Sequence, residues 1–208
     1  MSETFLKVYQ NSRLIPLLLA IILAACGSET ALLNSERIEQ QFGSYGIDIL
    51  PSESGLRRSN LYSVSGDDRI CRTYAVVRFT DDPDDVYSLE HAKVLAGNSL
   101  GAVFKANGWE IRKQTLHIGS FPVTAADGQI YDLMRLSENQ SLALHVYEFL
   151  IAKDEQIFEY ATILEAHHPG YLLESELLEL YSYDAAHRLS SDTLAQMETL
   201  MRIRNVQP

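Results

Sequence analysis

The chain has 208 residues, two cysteines and a formal net charge of −11 at pH 7. This excess of negative charge would repel nucleic acid and anionic lipid headgroups, so we expect neither as a ligand. The length is sufficient for one ordinary domain with a sizeable hydrophobic core, and we expect one domain, not two.

The N-terminal stretch has the composition of a secretory signal peptide. A weakly basic start with Lys7 and Arg13 precedes an almost wholly aliphatic run of 12 residues, 14–25. The run contains Pro16 and is shorter than the about 20 apolar residues that a membrane-spanning helix needs. We therefore predict that residues 1–25 are a signal peptide that is removed, not a transmembrane helix.

The run ends in Leu23-Ala24-Ala25-Cys26, which resembles the lipobox of bacterial lipoproteins. The resemblance covers residues 1–28 and implies that the sulfur of Cys26 carries a diacylglyceryl group, so that Cys26 becomes the acylated N-terminus. The alternative is an ordinary signal peptide followed by a chance cysteine. In such lipoproteins, Asp after the cysteine commonly means retention in the inner membrane. Gly27 follows here, which implies an outer-membrane anchor facing the periplasm.

Removal of the leader leaves Cys71 as the only unmodified cysteine. No intramolecular disulfide is then possible. Because the leader carries a net charge of +1, the mature chain carries −12. Cys71 alternates in phase with small or apolar residues over 70–79, which predicts a strand with Cys71 in the core. We interpret Cys71 as a small buried hydrophobic residue, in preference to a redox or coupling thiol.

The first half of the mature chain is predicted to hold a tether, three strands and one long helix. Residues 26–45 are expected to form the lipidated N-terminus and tether, with a short helix at 32–42, and residues 46–208 a single α+β domain. Strands are predicted at 46–50, 60–64 and 70–79.

The acidic run 81–85 contains Pro83 and is typical of a helix start. A calcium loop is the alternative, but the alternating oxygen spacing of an EF-hand is missing. Apolar residues then recur at helical spacing from Val86 to Phe104, which predicts one helix that ends at Asn107-Gly108.

The second half is predicted to contain most of the sheet. We expect a strand at 109–118, a loop at 119–128, a strand at 129–136, and helices at 172–183 and 191–203. The clearest signal is a hairpin with strands at 142–152 and 157–167 around a polar turn. Both faces of the hairpin are largely apolar, so its strands should lie inside an antiparallel sheet covered by helices. Aromatic side chains should cluster on one hairpin face, as core or as a ligand site: Tyr147, Phe149, Phe158 and Tyr160.

Gly97-Asn98-Ser99-Leu100-Gly101 resembles the nucleophile elbow of α/β-hydrolases, in which glycines allow a sharp turn from strand to helix. The resemblance implies Ser99 as the nucleophile, Asp127 or Asp132 as the acid, and His167 or His168 as the base. The pattern departs from the elbow at Asn98, no His-Gly segment precedes it, and the helical periodicity continues through Gly97. The favoured interpretation is a helix whose small residues pack closely on the sheet.

Glu165 and His167 lie two residues apart, on one face of the predicted strand, with His168 on the other. With a two-residue turn at 154–155, Leu144 would lie opposite Glu165, and His145 on the far face. A zinc site needs three or four ligands, so we predict a hydrogen-bonded histidine pair and neither a metal nor a cofactor.

The sequence thus indicates a lipid-anchored envelope protein whose α+β domain is a non-catalytic binding or assembly module, with an envelope protein as partner. The alternative is a serine hydrolase that cleaves an ester or thioester through Ser99. An elbow serine must be exposed and activated, whereas a helix-packing serine is buried and inert.

Overall fold

A computed structural model describes residues 32–53, 55–80, 84–181 and 189–202. In these residues one antiparallel sheet has the strand order β1-β2-β3-β6-β5-β4. The strands are β1 Gly46–Leu50, β2 Leu56–Ser65, β3 Asp68–Phe79, β4 Glu110–Val123, β5 Gln140–Lys153 and β6 Gln156–His167. The helices are α1 Asn34–Phe42, α2 Ser88–Leu95, α3 Leu100–Ala106, α4 Gln129–Leu133, α5 Glu174–Leu180 and α6 Ser191–Met201. The predicted α+β class is confirmed.

The predicted hairpin is confirmed together with its turn. Lys153 pairs with Gln156, and the two turn residues have positive φ angles, 50° at Asp154 and 66° at Glu155. This is the left-handed pair that a two-residue hairpin turn requires, because its twist matches that of the strands. β5 and β6 lie inside the sheet, as their two apolar faces predict.

Two predictions for the middle of the chain are wrong. β4 continues to Val123, through the first half of the predicted loop, and residues 129–136 hold α4 in place of a strand. Ile130 and Met134 are both buried and lie four residues apart, so they share one side of a helical turn. A short helical turn capped by Thr124, whose hydroxyl accepts from the backbone N–H of Ala126 at 3.3 Å, directs the chain into α4.

The single long helix predicted up to Asn107 is also wrong. α2 ends at Leu95, and Gly97 takes a φ of 103° that allows the chain to change direction before α3. The predicted start is close to the observed one, since the Asp84 carboxylate accepts a hydrogen bond from the N–H of Val86 at 2.9 Å. Pro83 lies outside the described residues.

The compact unit begins at Leu32 and therefore includes α1. Ile38 of α1 is fully buried with Leu177 of α5 against the sheet. α6 begins at Ser191, the predicted start of the last helix, and Ser190 caps it, since its hydroxyl accepts from the N–H of Thr193 at 3.2 Å. Within the described residues, no helix has the length and apolar content needed to span a membrane.

The sheet has two covered faces. The face under α4 and α6, here called the dry face, is mainly apolar, with Phe121, Leu144, Val146, Leu164 and Met201 in one cluster. Its buried Arg58 donates from Nη1 to the carbonyl oxygen of Leu200 in α6 at 3.0 Å. The polar face lies under α1, α2, α3 and α5. It carries two apolar clusters at its ends, one of which includes the predicted aromatic group. Between those clusters lie buried polar side chains.

Single-residue bulges decide which side chains reach each face. Arg72, Leu116 and Tyr160 are each an extra residue in the strand pairing, and each one reverses the alternation that follows. Cys71 is fully buried, as predicted. However, the bulge at Arg72 places it on the dry face, opposite the face that carries Ala75.

Candidate functional site

The polar face holds a partly open cavity of about 70 Å³ beneath the first residues of α1 and α3. Most of its wall is apolar, with Ala75 and Val77 of β3, Phe149 of β5 and Ile163 of β6. Because these strands are neighbours in the sheet, the floor of the cavity is rigid backbone. The few polar side chains in such a wall fix what the cavity can hold.

Glu165 is the centre of the polar side chains. It is 5% exposed, and its Oε1 accepts a hydrogen bond from Nδ2 of Asn34 at 3.1 Å. Its Oε2 lies 3.9 Å from the ammonium nitrogen of Lys113. The hydroxyl of Tyr171 donates to Oδ1 of Asn34 at 2.5 Å, which orients the amide. A buried carboxylate is tolerated when cations and donors surround it in this way.

His145 lies directly opposite Glu165, which corrects the predicted pairing with Leu144. The turn is as predicted, but the extra residue Tyr160 in β6 shifts the register by one and flips every side chain beyond it. His145, Glu165 and His167 therefore share the polar face. His145 Nε2 lies 3.1 Å from the Thr115 hydroxyl.

His167 is held by Thr73, whose hydroxyl lies 3.0 Å from Nδ1. A neutral imidazole that accepts a hydrogen bond at Nδ1 carries its proton on Nε2, the atom that lies 3.9 Å from Oε2 of Glu165. In the described part of the chain, Nε2 of His167 and Nδ1 of His145 have no hydrogen-bond partner. His167 and His168, the pair predicted near the strand end, have separate hydrogen-bond partners, which are the Thr73 hydroxyl and the N–H of Gly170.

Burial keeps both histidines neutral. It lowers the pKa of His167 to about 4, although the charge of Glu165 acts in the opposite direction. Burial also places the pKa of His145 well below its usual value, and the positive charge of Lys113 lowers that pKa further. At neutral pH the side chains whose charges act on these two histidines are therefore Glu165, Lys113 and Arg37.

Lys113 approaches the cavity from β4 with its stem against aromatic rings. Its ammonium nitrogen lies 4.4 Å from the ring centre of Tyr147 and 5.3 Å from that of Tyr181. Both distances are within the range of a cation–π contact. Burial raises the pKa of Tyr147 well above its usual value, and the neighbouring charge of Glu165 adds to the rise. Tyr147 is therefore uncharged, and its ring contacts the ammonium group of Lys113.

Arg57 closes the opposite end of the cavity. It is 5% exposed and donates from Nη1 to the carbonyl oxygen of Val94 and from Nη2 to that of Asn98, both at 2.9 Å. The Val94 carbonyl lies in the last turn of α2, so the guanidinium caps that helix and meets the negative end of its dipole, while Asn98 lies in the link to α3. Its Nε is buried and has no hydrogen-bond partner among the described residues.

Ser99 lines the same cavity as Lys113 and Glu165. It is half-buried and precedes the first residue of α3. A helix and a turn lie before it, where the elbow requires a strand, and it is not inside a helix as the favoured interpretation supposed. In the described residues no hydrogen bond joins its hydroxyl to a histidine.

The other residues implied by the elbow have local partners. The carboxylate of Asp127 lies 2.6 Å from the guanidinium of Arg202, and Asp132 lies in α4. His168 follows β6, where its Nδ1 accepts from the N–H of Gly170 at 2.9 Å. The structure thus gives Asp127 and His168 roles in capping and in a turn.

α2 presents an apolar stripe to solvent. Leu89 is 76% exposed, Leu95 60% and Val86, just before the helix, 55%. These positions belong to the helical stripe that the sequence shows, but the residues that face the sheet are Tyr87 and Val94. Three large exposed aliphatic side chains on a short helix and the turn before it are a feature of interaction surfaces.

Comparison of the chain with known protein families, with curated proteins and with solved structures gives no match. The described residues also contain no group of three or more His, Cys, Asp or Glu side chains that could hold a metal ion.

Proposed function

We propose that this protein is a lipid-anchored cell-envelope protein whose α+β domain is a non-catalytic binding or assembly module. The anchor is the acylated Cys26, and the outer membrane, on its periplasmic face, is the location. Two features support the proposal: the lipobox at residues 23–26 and the exposed apolar stripe of Val86, Leu89 and Leu95. The stripe is the single observation that carries the binding role, because an isolated domain gains nothing from exposing it.

The partner at the stripe is an envelope protein with an apolar groove and a cationic rim. Asp84 and Asp85 are exposed beside Val86, and the full chain carries a net charge of −11. The exposed cation of α2, Lys93, is directed to the side-chain oxygen of Asn107 at 3.2 Å. A cationic rim would therefore complement this end of the helix.

A photo-crosslinking amino acid at position 89, introduced in cells, tests the partner surface. We expect one discrete crosslinked species that is lost when Leu95→Asp is added. The matched control is the same amino acid at Ile157, which is 56% exposed at the far end of the hairpin. The same products from both positions would contradict the proposal, as would no product from position 89 in a folded protein.

The anchor is tested separately with Cys26→Ser. This variant should leave an uncleaved or soluble precursor, because no sulfur remains to carry the lipid. Normal partition of the variant into membranes would contradict the lipoprotein assignment.

A serine hydrolase acting through Ser99 is the second candidate, supported by the position of Ser99 in the cavity wall beside Lys113 and Glu165. A fluorophosphonate probe should label the folded protein if Ser99 is an activated nucleophile, and Ser99→Ala should then abolish the labelling. Absence of labelling would favour the binding module.

A further inference from the structure

We propose that the cavity on the polar face binds a short-chain carboxylate, whose carboxyl group contacts Lys113 and whose hydrocarbon end contacts the apolar wall. This inference is independent of the α2 stripe and of the lipid anchor. It assigns a small-molecule site to the interior of the same domain.

The charges of the cavity wall favour an anion. Arg57 and Lys113 contribute two positive charges and Glu165 one negative charge, while the nearby histidines are neutral at pH 7. A buried excess of positive charge is unfavourable unless something compensates it. The Nη1 and Nη2 donors of Arg57 already bind the carbonyl oxygens of Val94 and Asn98, so Arg57 acts on an entering ligand through its charge. An entering carboxylate would supply the missing negative charge and an acceptor for the Lys113 ammonium.

Glu165 does not make the site a receptor for cations. Its Oε1 is bound by Asn34 at 3.1 Å, and its Oε2 faces the Lys113 ammonium and Nε2 of His167, each at 3.9 Å. An ammonium group entering the cavity would meet the charges of Arg57 and Lys113 before it found a free acceptor. Glu165 instead holds Lys113 at the cavity wall.

The volume and the walls limit the rest of the ligand. The volume of about 70 Å³ is small for an organic ligand. Because the cavity is only partly enclosed, a short acid of about two or three carbons can place its carboxyl group inside it. The walls at Val77, Phe149 and Ile163 cannot hydrogen-bond the outer oxygens of sulfate or phosphate. A carboxylate with an alkyl end can contact both the cationic and the apolar side chains of the wall.

Titration of the full mature protein, purified in detergent, with propionate at pH 7 tests the site. Calorimetry and backbone NMR shifts should show saturable binding, with shifts centred on β3, β6 and the start of α3. Propionamide has nearly the same shape without the charge, and we expect it to bind at least about tenfold more weakly, since loss of a buried charge contact costs that much or more.

Three variants locate the binding. Lys113→Met removes the cation, and Ala75→Val fills much of the cavity while every charged side chain remains, so each should weaken propionate binding by about tenfold or more. Lys93→Met removes an exposed lysine outside the cavity and should leave the affinity unchanged. If Lys113→Met fails to fold, Ala75→Val still tests whether propionate binds in the cavity.

Four results would overturn the proposal. They are the lack of saturable propionate binding, equal binding of propionamide, binding that survives Ala75→Val in a folded protein, and tighter binding of phosphate than of propionate. None of these results depends on the crosslink at position 89, so the site and the proposed partner surface can fail independently.

Discussion

Both faces of the sheet are covered by helices, but they differ in chemistry. The dry face brings Phe121, Leu144 and Leu164 against α4 and α6 and stabilises the domain mainly by apolar burial, with Arg58 as its buried cation. The polar face places Glu165, His145 and His167 under its helices and leaves a cavity between two apolar clusters. Ionisable groups in such a position reduce stability relative to apolar ones, which suggests that they are kept for binding.

The largest expected effect is on the dry face. Phe121→Ala should reduce the free energy of unfolding by about 4 kcal/mol, because a fully buried phenyl ring is lost and a cavity remains. Urea unfolding followed by circular dichroism measures the change. A loss below about 1 kcal/mol would mean that this face is not the stabilising core.

The pH dependence of stability comes from the polar face. His167 has a pKa of about 4 when folded and about 6.5 when unfolded, so only the unfolded chain binds its proton between these values. Its stability contribution is complete above pH 6.5 and is lost as the pH falls towards 4, by roughly 3 kcal/mol. His145 acts in the same direction.

Urea unfolding from pH 7.5 to 4 measures this loss of stability, and His167→Gln should flatten the profile. An equal slope in the variant and the original protein would show that His167 is not the responsible group.

Substitutions in the Lys113–Glu165 pair should have a smaller effect on the free energy of unfolding, and they test directly whether the two side chains interact. Glu165→Gln leaves the ammonium of Lys113 without its counter-charge and should cost about 2 kcal/mol. Adding Lys113→Met removes the unpaired cation, and the double variant should return to within about 1 kcal/mol of the original protein. Additive losses in the double-mutant cycle would contradict an interaction between the two side chains.

Cys71→Ala should have the smallest effect, about 1 kcal/mol, because one small side chain is removed from the dry face. Burial raises the pKa of the Cys71 thiol, so thiol reagents should label it only slowly in the folded protein. Rapid labelling at pH 7 would contradict its burial.

The sequence predicted the fold class and the central hairpin because both depend on local signals. Alternation over 142–152 and 157–167 and a turn at 154–155 define the hairpin, and neither requires distant contacts. The sequence did not predict α4, because residues 129–136 fit the alternation of a strand and the spacing of a helix almost equally well. Only the burial of Ile130 and Met134 on the same side shows that the segment is a helix and not a strand.

The site could be predicted only in part. Glu165 and His167 were placed on one face by their spacing, but His145 was assigned to the other because nothing local marks Tyr160 as an extra residue. Lys113, Arg57 and Asn34 come from separate elements, and their convergence depends on strand order. The only sequence signal for Lys113 is that this cation lies two residues before Thr115 in β4 and therefore on the same face of the strand.

The most direct test of the different roles of the two faces uses the Lys113→Met/Glu165→Gln double variant beside the original protein. Both proteins are titrated with propionate, and the same samples are unfolded with urea. We predict a folded double variant, within about 1 kcal/mol of the original stability, that no longer binds propionate. Retained binding would contradict the account, and so would loss of the fold together with the binding.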